Sequence, residues 1–148
     1  NEFGPVLLGG NPVNSLWDEE ETILLELAKK LDKEMLDKLK GPGGSGQAVG
    51  KSGVAIKDLP KPAAELAKKL LEKRLDVFSA DRKKKLEKII ANQGGVNDLK
   101  FILNGNATSG HLQGGNYSWK FGNEGILIDW QTAGKNHLHL TVKAKPKA

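Results

Sequence analysis

The sequence predicts an α+β fold, with N-terminal helices packed on one face of a C-terminal antiparallel β-meander of four to five strands. Two observations carry this. In the first half, apolar residues recur at helical spacing, as in Leu16, Ile23, Leu24, Leu27, Leu31, Met35 and Leu39. After Gly95 the texture changes to short β-type runs separated by turn residues such as Asn104-Gly105-Asn106 and Gly122-Asn123-Glu124-Gly125. Connections this short join antiparallel neighbours.

Residues 1–13, with Gly4, Pro5, Gly9, Gly10 and Pro12, read as a loosely held arm. The short apolar run at 3–8 has no basic flank or cleavage pattern and does not read as a signal peptide. A first helix begins at Asn14 or Ser15, either of which can cap it. Its acids, Asp18 to Glu21, precede its lysines, which matches the helix dipole, and Gly41-Pro42 stops it. Residues 41–53 follow as a flexible glycine-rich connection. They contain Gly50-Lys51-Ser52, but a phosphate loop needs glycine where Ser45 stands and a buried strand in front. Both requirements fail.

A second helix covers 62–76, with Pro62 in its first turn. A third runs from Ser79 as N-cap to Asn92. Arg82-Lys83-Lys84-Lys85 sits in the first half of that helix, where the dipole disfavours positive charge. The cluster serves either a partner or a solvated face. Strands are expected at 99–103, 109–113, 117–121, 126–130 and 137–143. The chain divides into 1–58, an arm, helix and glycine-rich linker, and 59–148, a helical hairpin plus sheet.

Composition sets outer bounds. No apolar run approaches the roughly 20 residues that span a bilayer, so no stable membrane insertion is expected. The net charge of +5 favours a polyanionic partner, and because only Arg74 and Arg82 are arginines the attraction is lysine-based. The absence of cysteine excludes disulfides, thiolate zinc sites and cysteine nucleophiles.

Alternation assigns two faces to the sheet. Leu112, Tyr117, Trp119, Phe121, Ile126, Ile128, Trp130, Leu138, Leu140 and Val142 fall on one, which should pack against the helices. The other gathers His111, Gln113, Ser118, Lys120, Asp129, Gln131, His137, His139, Thr141 and Lys143. All three histidines of the chain share that face. His137 and His139 stand about 7 Å apart along one strand. Imidazole titrates near neutrality, which suits proton transfer or metal binding.

Cleavage of RNA without metal needs a base for the ribose 2′-OH, an acid for the leaving 5′-oxygen and cations for the charge on phosphorus. His139, His137 and His111 are the candidate acid and base, with Thr141 and Lys120 completing the catalytic set. Lys143, Lys135, Ser118, Tyr117 and Asp129 are candidate substrate contacts, Tyr117 only if a bulge turns it from the packed face. No metal or other cofactor is required by this scheme.

A cationic chain with a glycine-rich connection, a helical segment and a terminal sheet bearing His137-Leu138-His139-Leu140-Thr141 resembles the C-terminal toxin domains of bacterial polymorphic and contact-dependent growth inhibition (CdiA-like) proteins. In layout, over roughly residues 60–148, it is similar to the ribonuclease superfamily of barnase, the EndoU nucleases, colicins D and E5 and the RelE toxins. That resemblance implies a secreted or cell-surface toxin acting on RNA, tRNA foremost, in the target-cell cytoplasm. It further implies a cognate immunity protein and an N-terminal region that serves import. Two rivals stay open. One is a metal-dependent nuclease using the histidine cluster or Glu124 and Asp129. The other is a non-catalytic module that grips RNA or a protein with the polar face.

Overall fold

The computed structural model describes residues 2–3, 6–8, 11–14, 18–44, 46–109, 115–132 and 138–144. Its strands are β1 (Glu2–Phe3), β2 (Val6–Leu8), β3 (Asn11–Asn14), β4 (Val54–Ala55), β5 (Lys100–Asn106), β6 (Asn116–Gly122), β7 (Ile126–Thr132) and β8 (Leu138–Ala144). Strands β5 to β8 form the expected antiparallel meander, and the whole sheet runs β1-β8-β7-β6-β5-β4. The helices are α1 (Asp18–Lys29), α2 (Lys33–Lys38), α3 (Lys61–Leu75) and α4 (Ala80–Asn92). The fold is α+β, with the helices mostly ahead of the strands.

Two local expectations differ from the structure. The helix read as continuous to residue 40 breaks between α1 and α2, because Asp32 caps the second piece, its carboxylate accepting from Met35 N at 2.8 Å. A short carboxylate that can take a backbone N–H competes with helix continuation at that point. The N-terminal arm carries strands, with β1 added to the free edge of β8 and β2 paired with β3. β5 pairs directly with β6 out to Asn106↔Asn116. Residues 110–113 of the strand expected at 109–113 lie outside the described residues.

Alternation predicts the register. On the helix-facing side, one cross-strand row reads Phe101–Phe121–Ile128–Val142 and the next Leu103–Trp119–Trp130–Leu140. Trp119 and Trp130 stack with centroids 6.3 Å apart, Tyr117 stacks on Trp130 at 4.9 Å, and Phe101 on Phe121 at 5.0 Å. This layer meets Leu24 and Leu27 of α1, Leu70 and Leu71 of α3, and Leu86 and Ile90 of α4 in one hydrophobic core. That core runs through residues on both sides of position 58. Leu140 and Val142 are half-buried against it. Among the described residues no helix is long and apolar enough to cross a membrane.

Candidate functional site

The opposite face of the sheet carries three cross-strand rows. They are Lys100–Gly122–Leu127–Lys143, Ile102–Lys120–Asp129–Thr141 and Asn104–Ser118–Gln131–His139. Directly opposed residues lie within about 4.5–5.5 Å at Cβ, so each row is a set of touching neighbours. The middle of the first row and most of the second are covered. Residues 41–44 and 46–53, from the stretch expected as a free connection, lie across them as a strap.

The strap is held by its backbone. Lys120 Nζ donates to Gly44 O at 2.5 Å and to Gln47 O at 3.0 Å. Gly46 N donates to Asp129 Oδ2 at 2.6 Å, and Lys143 Nζ donates to Gly46 O at 3.1 Å. Asn104 exchanges two hydrogen bonds with the Gly41 backbone, each 3.1 Å long. Val49 packs on Ile102 and Leu127 in a small apolar cluster separate from the main core. Glycine is required where the strap turns close to the sheet. Gly53 has φ +83°, and a Cβ there would stand 2.5 Å from the Phe101 carbonyl oxygen. A side chain at Gly46, φ +76°, would meet the Lys143 ammonium at 2.7 Å. The chain can lie flat here because these residues have no side chains to fit.

The physical reason for the strap is legible in two residues. Lys120 and Asp129 are each 1% exposed. A buried ammonium and a buried carboxylate both demand hydrogen-bond partners, and the strap's carbonyls serve the ammonium while the Gly46 N–H serves one carboxylate oxygen. Burial pushes the Lys120 ammonium below its ordinary range, Asp129 opposes the shift, and Lys143 adds to it. Asp129 Oδ1 is buried without a hydrogen-bond partner among the described residues.

The third row stays more open. His139 is half-buried and in register with Gln131, with Ser118 and Asn104 continuing the row. A depression of about 300 Å³ lies over it, lined among others by Gly43, Asn104, Asn116, Ser118 and Gln131. Its side-chain lining is amide and hydroxyl, which suits hydrogen bonding to neutral polar groups.

The sequence-predicted residues therefore separate. His139, Thr141, Lys120, Lys143, Ser118 and Asp129 share one face, as alternation requires, with Lys120, Ser118 and Asp129 buried and Lys143 exposed. Tyr117 belongs to the other side, a correction to its expected role as a substrate contact. Its ring packs in the core and its hydroxyl donates to the Glu21 carboxylate, because no bulge turns β6 between Gly105↔Tyr117 and Ser118↔Gln131. His111, His137 and Lys135 lie outside the described residues. Glu124 is exposed, in the tight β6–β7 turn. Among the described residues no three His, Asp or Glu side chains come together as a metal-binding group.

Sequence reading missed that the polar face is also partly apolar. Ile102 and Leu127 sit on it, both buried. The signal was present, since Ile126-Leu127-Ile128 is a continuous apolar run, the mark of a strand covered on both faces. It also missed a polar layer under the helices. There Arg74 Nη1 meets Glu20 Oε2 at 3.3 Å, both side chains nearly fully buried, beside the Tyr117–Glu21 hydrogen bond. Comparison of the chain with protein-family models, with curated proteins and with solved structures finds no match.

Proposed function

We propose that this chain is a metal-independent ribonuclease toxin domain whose reaction centre is the polar sheet face around His139 and Thr141. The observation that carries the reading is the placement of His139. It stands on the face away from the helical core, beside the hydrogen-bonding depression and one row from Thr141, Asp129 and Lys120. An imidazole beside amide and hydroxyl groups, with lysines on the next rows, has the parts that 2′-OH transesterification needs.

In this scheme one group removes the ribose 2′-OH proton, and the 2′-oxygen attacks phosphorus to give a cyclic phosphate. A second group protonates the departing 5′-oxygen. His139 fills one of these roles, and His137 or His111 is the candidate for the other by sequence. Lys120 and Lys143 offset the charge that develops on the phosphoryl oxygens. DNA, which lacks the 2′-OH, is not a substrate for this chemistry. The net charge of +5 supports attraction to the RNA backbone. In the toxin reading the chain is delivered from the surface of a producing cell into the cytoplasm of a target bacterium. There it cleaves RNA, tRNA foremost, and a cognate immunity protein protects the producer by covering this face.

The experiment is expression in a bacterium, followed by incubation of the purified chain with total RNA in EDTA. Growth arrest and RNA cleavage that survives EDTA support the proposal, whereas cleavage abolished by EDTA and restored by a divalent cation replaces it with a metal-dependent nuclease. A second reading, a non-catalytic RNA-binding module, is favoured by the engagement of both Lys120 and Asp129 with the strap. RNA retention without cleavage identifies it.

A further inference from the structure

The strap places three carbonyl oxygens on two ammonium groups. Gly44 O and Gln47 O accept from Lys120 Nζ, and Gly46 O accepts from Lys143 Nζ. Several oxygens converging on paired cations is also the arrangement that a phosphodiester presents to lysines. We infer that the strap acts as a removable intramolecular cover over a phosphodiester-binding site formed by Lys120 and Lys143, and that an RNA phosphate takes the place of the strap carbonyls. The inference rests on the ribonuclease reading of the same face and adds the cover to it.

Three features make the strap removable. First, its apolar anchorage is one side chain, Val49, in a cluster outside the main core. Lifting it leaves the packing of α1, α3 and α4 on the aromatic layer intact. Second, the strap offers Lys120 neutral acceptors, whereas phosphate oxygens are anionic and make the stronger, charge-assisted hydrogen bonds. A polyanion therefore has the differential affinity needed to shift the strap. Third, the closed arrangement is imperfect, because Asp129 uses Oδ2 for the Gly46 N–H while Oδ1 stays buried without a described partner. The strap's glycines, among them Gly46, Gly50 and Gly53 at positive φ, let the chain reshape without side-chain clashes.

The test uses the full 148-residue chain and a short 2′-O-methyl oligoribonucleotide, which keeps the phosphodiesters but cannot be cleaved through the 2′-oxygen. A Cβ built at Gly122 stands 3.0 Å from Val49 Cγ1. Val49→Cys with Gly122→Cys thus brings two thiols within disulfide reach in a chain that has no other cysteine. The oxidised, latched protein is expected to bind the oligonucleotide at least about ten-fold more weakly than the reduced protein, as when the competent state is depopulated. Wild type should ignore the reductant. In wild type, the oligonucleotide should also accelerate amide hydrogen exchange in 41–53 while exchange in β6 and β7 does not increase.

Equal binding by latched and reduced protein, or unchanged exchange in 41–53 at saturating oligonucleotide, overturns the inference. So does an absence of binding by either form. If the double variant does not fold, the exchange measurement on the unaltered chain decides alone. Failure of the ribonuclease reading is distinguishable. Strap-gated binding with no cleavage of unmodified RNA leaves the cover standing without the enzyme, and RNA cleavage that is equal in latched and reduced forms leaves the enzyme without the cover.

Discussion

Replacing Lys120 by Met tests what holds the strap to the sheet. The substitution keeps most of the side-chain volume and removes one buried ammonium, 1% exposed, together with its hydrogen bonds to Gly44 O and Gln47 O. Hydrogen bonds from a charged group contribute about 1.5–3 kcal/mol each, so the gross loss is about 3–6 kcal/mol. Two effects reduce it. The burial cost of the ammonium disappears, and the freed carbonyls regain water when the strap lifts. Against these, Asp129 keeps its buried carboxylate but loses the coulombic support of the Lys120 ammonium, and a less compensated buried charge is destabilising. The expected net destabilisation is about 3 kcal/mol, or roughly 6–12 °C in Tm for a chain of this size. Urea unfolding gives the free energy, and a cycle with Asp129→Asn gives the coupling, which should be at least about 1 kcal/mol. Stability of Lys120→Met within about 0.5 kcal/mol of wild type, or strict additivity with Asp129→Asn, would refute the reasoning.

Other outcomes follow from the same geometry. Burial pushes the Glu20 carboxyl up to about 6 from 4.5, with the Arg74 guanidinium opposing the shift. The native state then holds that proton more tightly than the unfolded chain, so this group's contribution is full below pH 4.5 and is lost as pH rises through 6. At 1.36 kcal/mol per pH unit the loss is about 2 kcal/mol, and urea unfolding of Glu20→Gln at both ends of that window should show a pH dependence smaller by this amount. An unchanged pH dependence would contradict the assignment. Gly53→Ala should cost more than Gly50→Ala, although both glycines have positive φ, because only Gly53 would drive its Cβ into a carbonyl oxygen. The conformational cost alone is about 1–2 kcal/mol at each, so equal thermal shifts would show that the strap yields at 53. Leu140→Ala, at a half-buried position against the core, should fall near or below the low end of the 2–5 kcal/mol range for core leucines, about 2 kcal/mol by denaturant titration.

Much of the sheet was legible because period-two alternation survives in β6, β8 and the second half of β7, and burial of the aromatic face holds the register. Ser79 as the cap of α4 and Pro62 at the start of α3 were readable for the same reason, since each does a job that few residue types can do. The break at Asp32 was not, because one capping carboxylate outweighs a continuous apolar stripe only when tertiary packing permits it. The strap was hidden more deeply. Glycine-rich composition signals chain flexibility when nothing binds the backbone, yet here Lys120, Lys143, Asp129 and Asn104 bind it. Those partners lie 63 to 97 residues away in sequence, so local pattern cannot reveal the pairing. Of the candidate site, the sharing of a face by His139, Thr141, Lys120 and Asp129 was legible. The burial of Lys120 and Asp129 was not, although the apolar neighbours Ile102 and Leu127 hinted that something covers them.

The most direct test of the central claim is single-turnover cleavage of RNA in EDTA by wild type and by His139→Ala. Wild type is expected to give fragments ending in cyclic phosphate, and the variant a chemical step slower by at least about 100-fold, with Tm unchanged. Full activity in a protein with His111, His137 and His139 all replaced by Ala would contradict it.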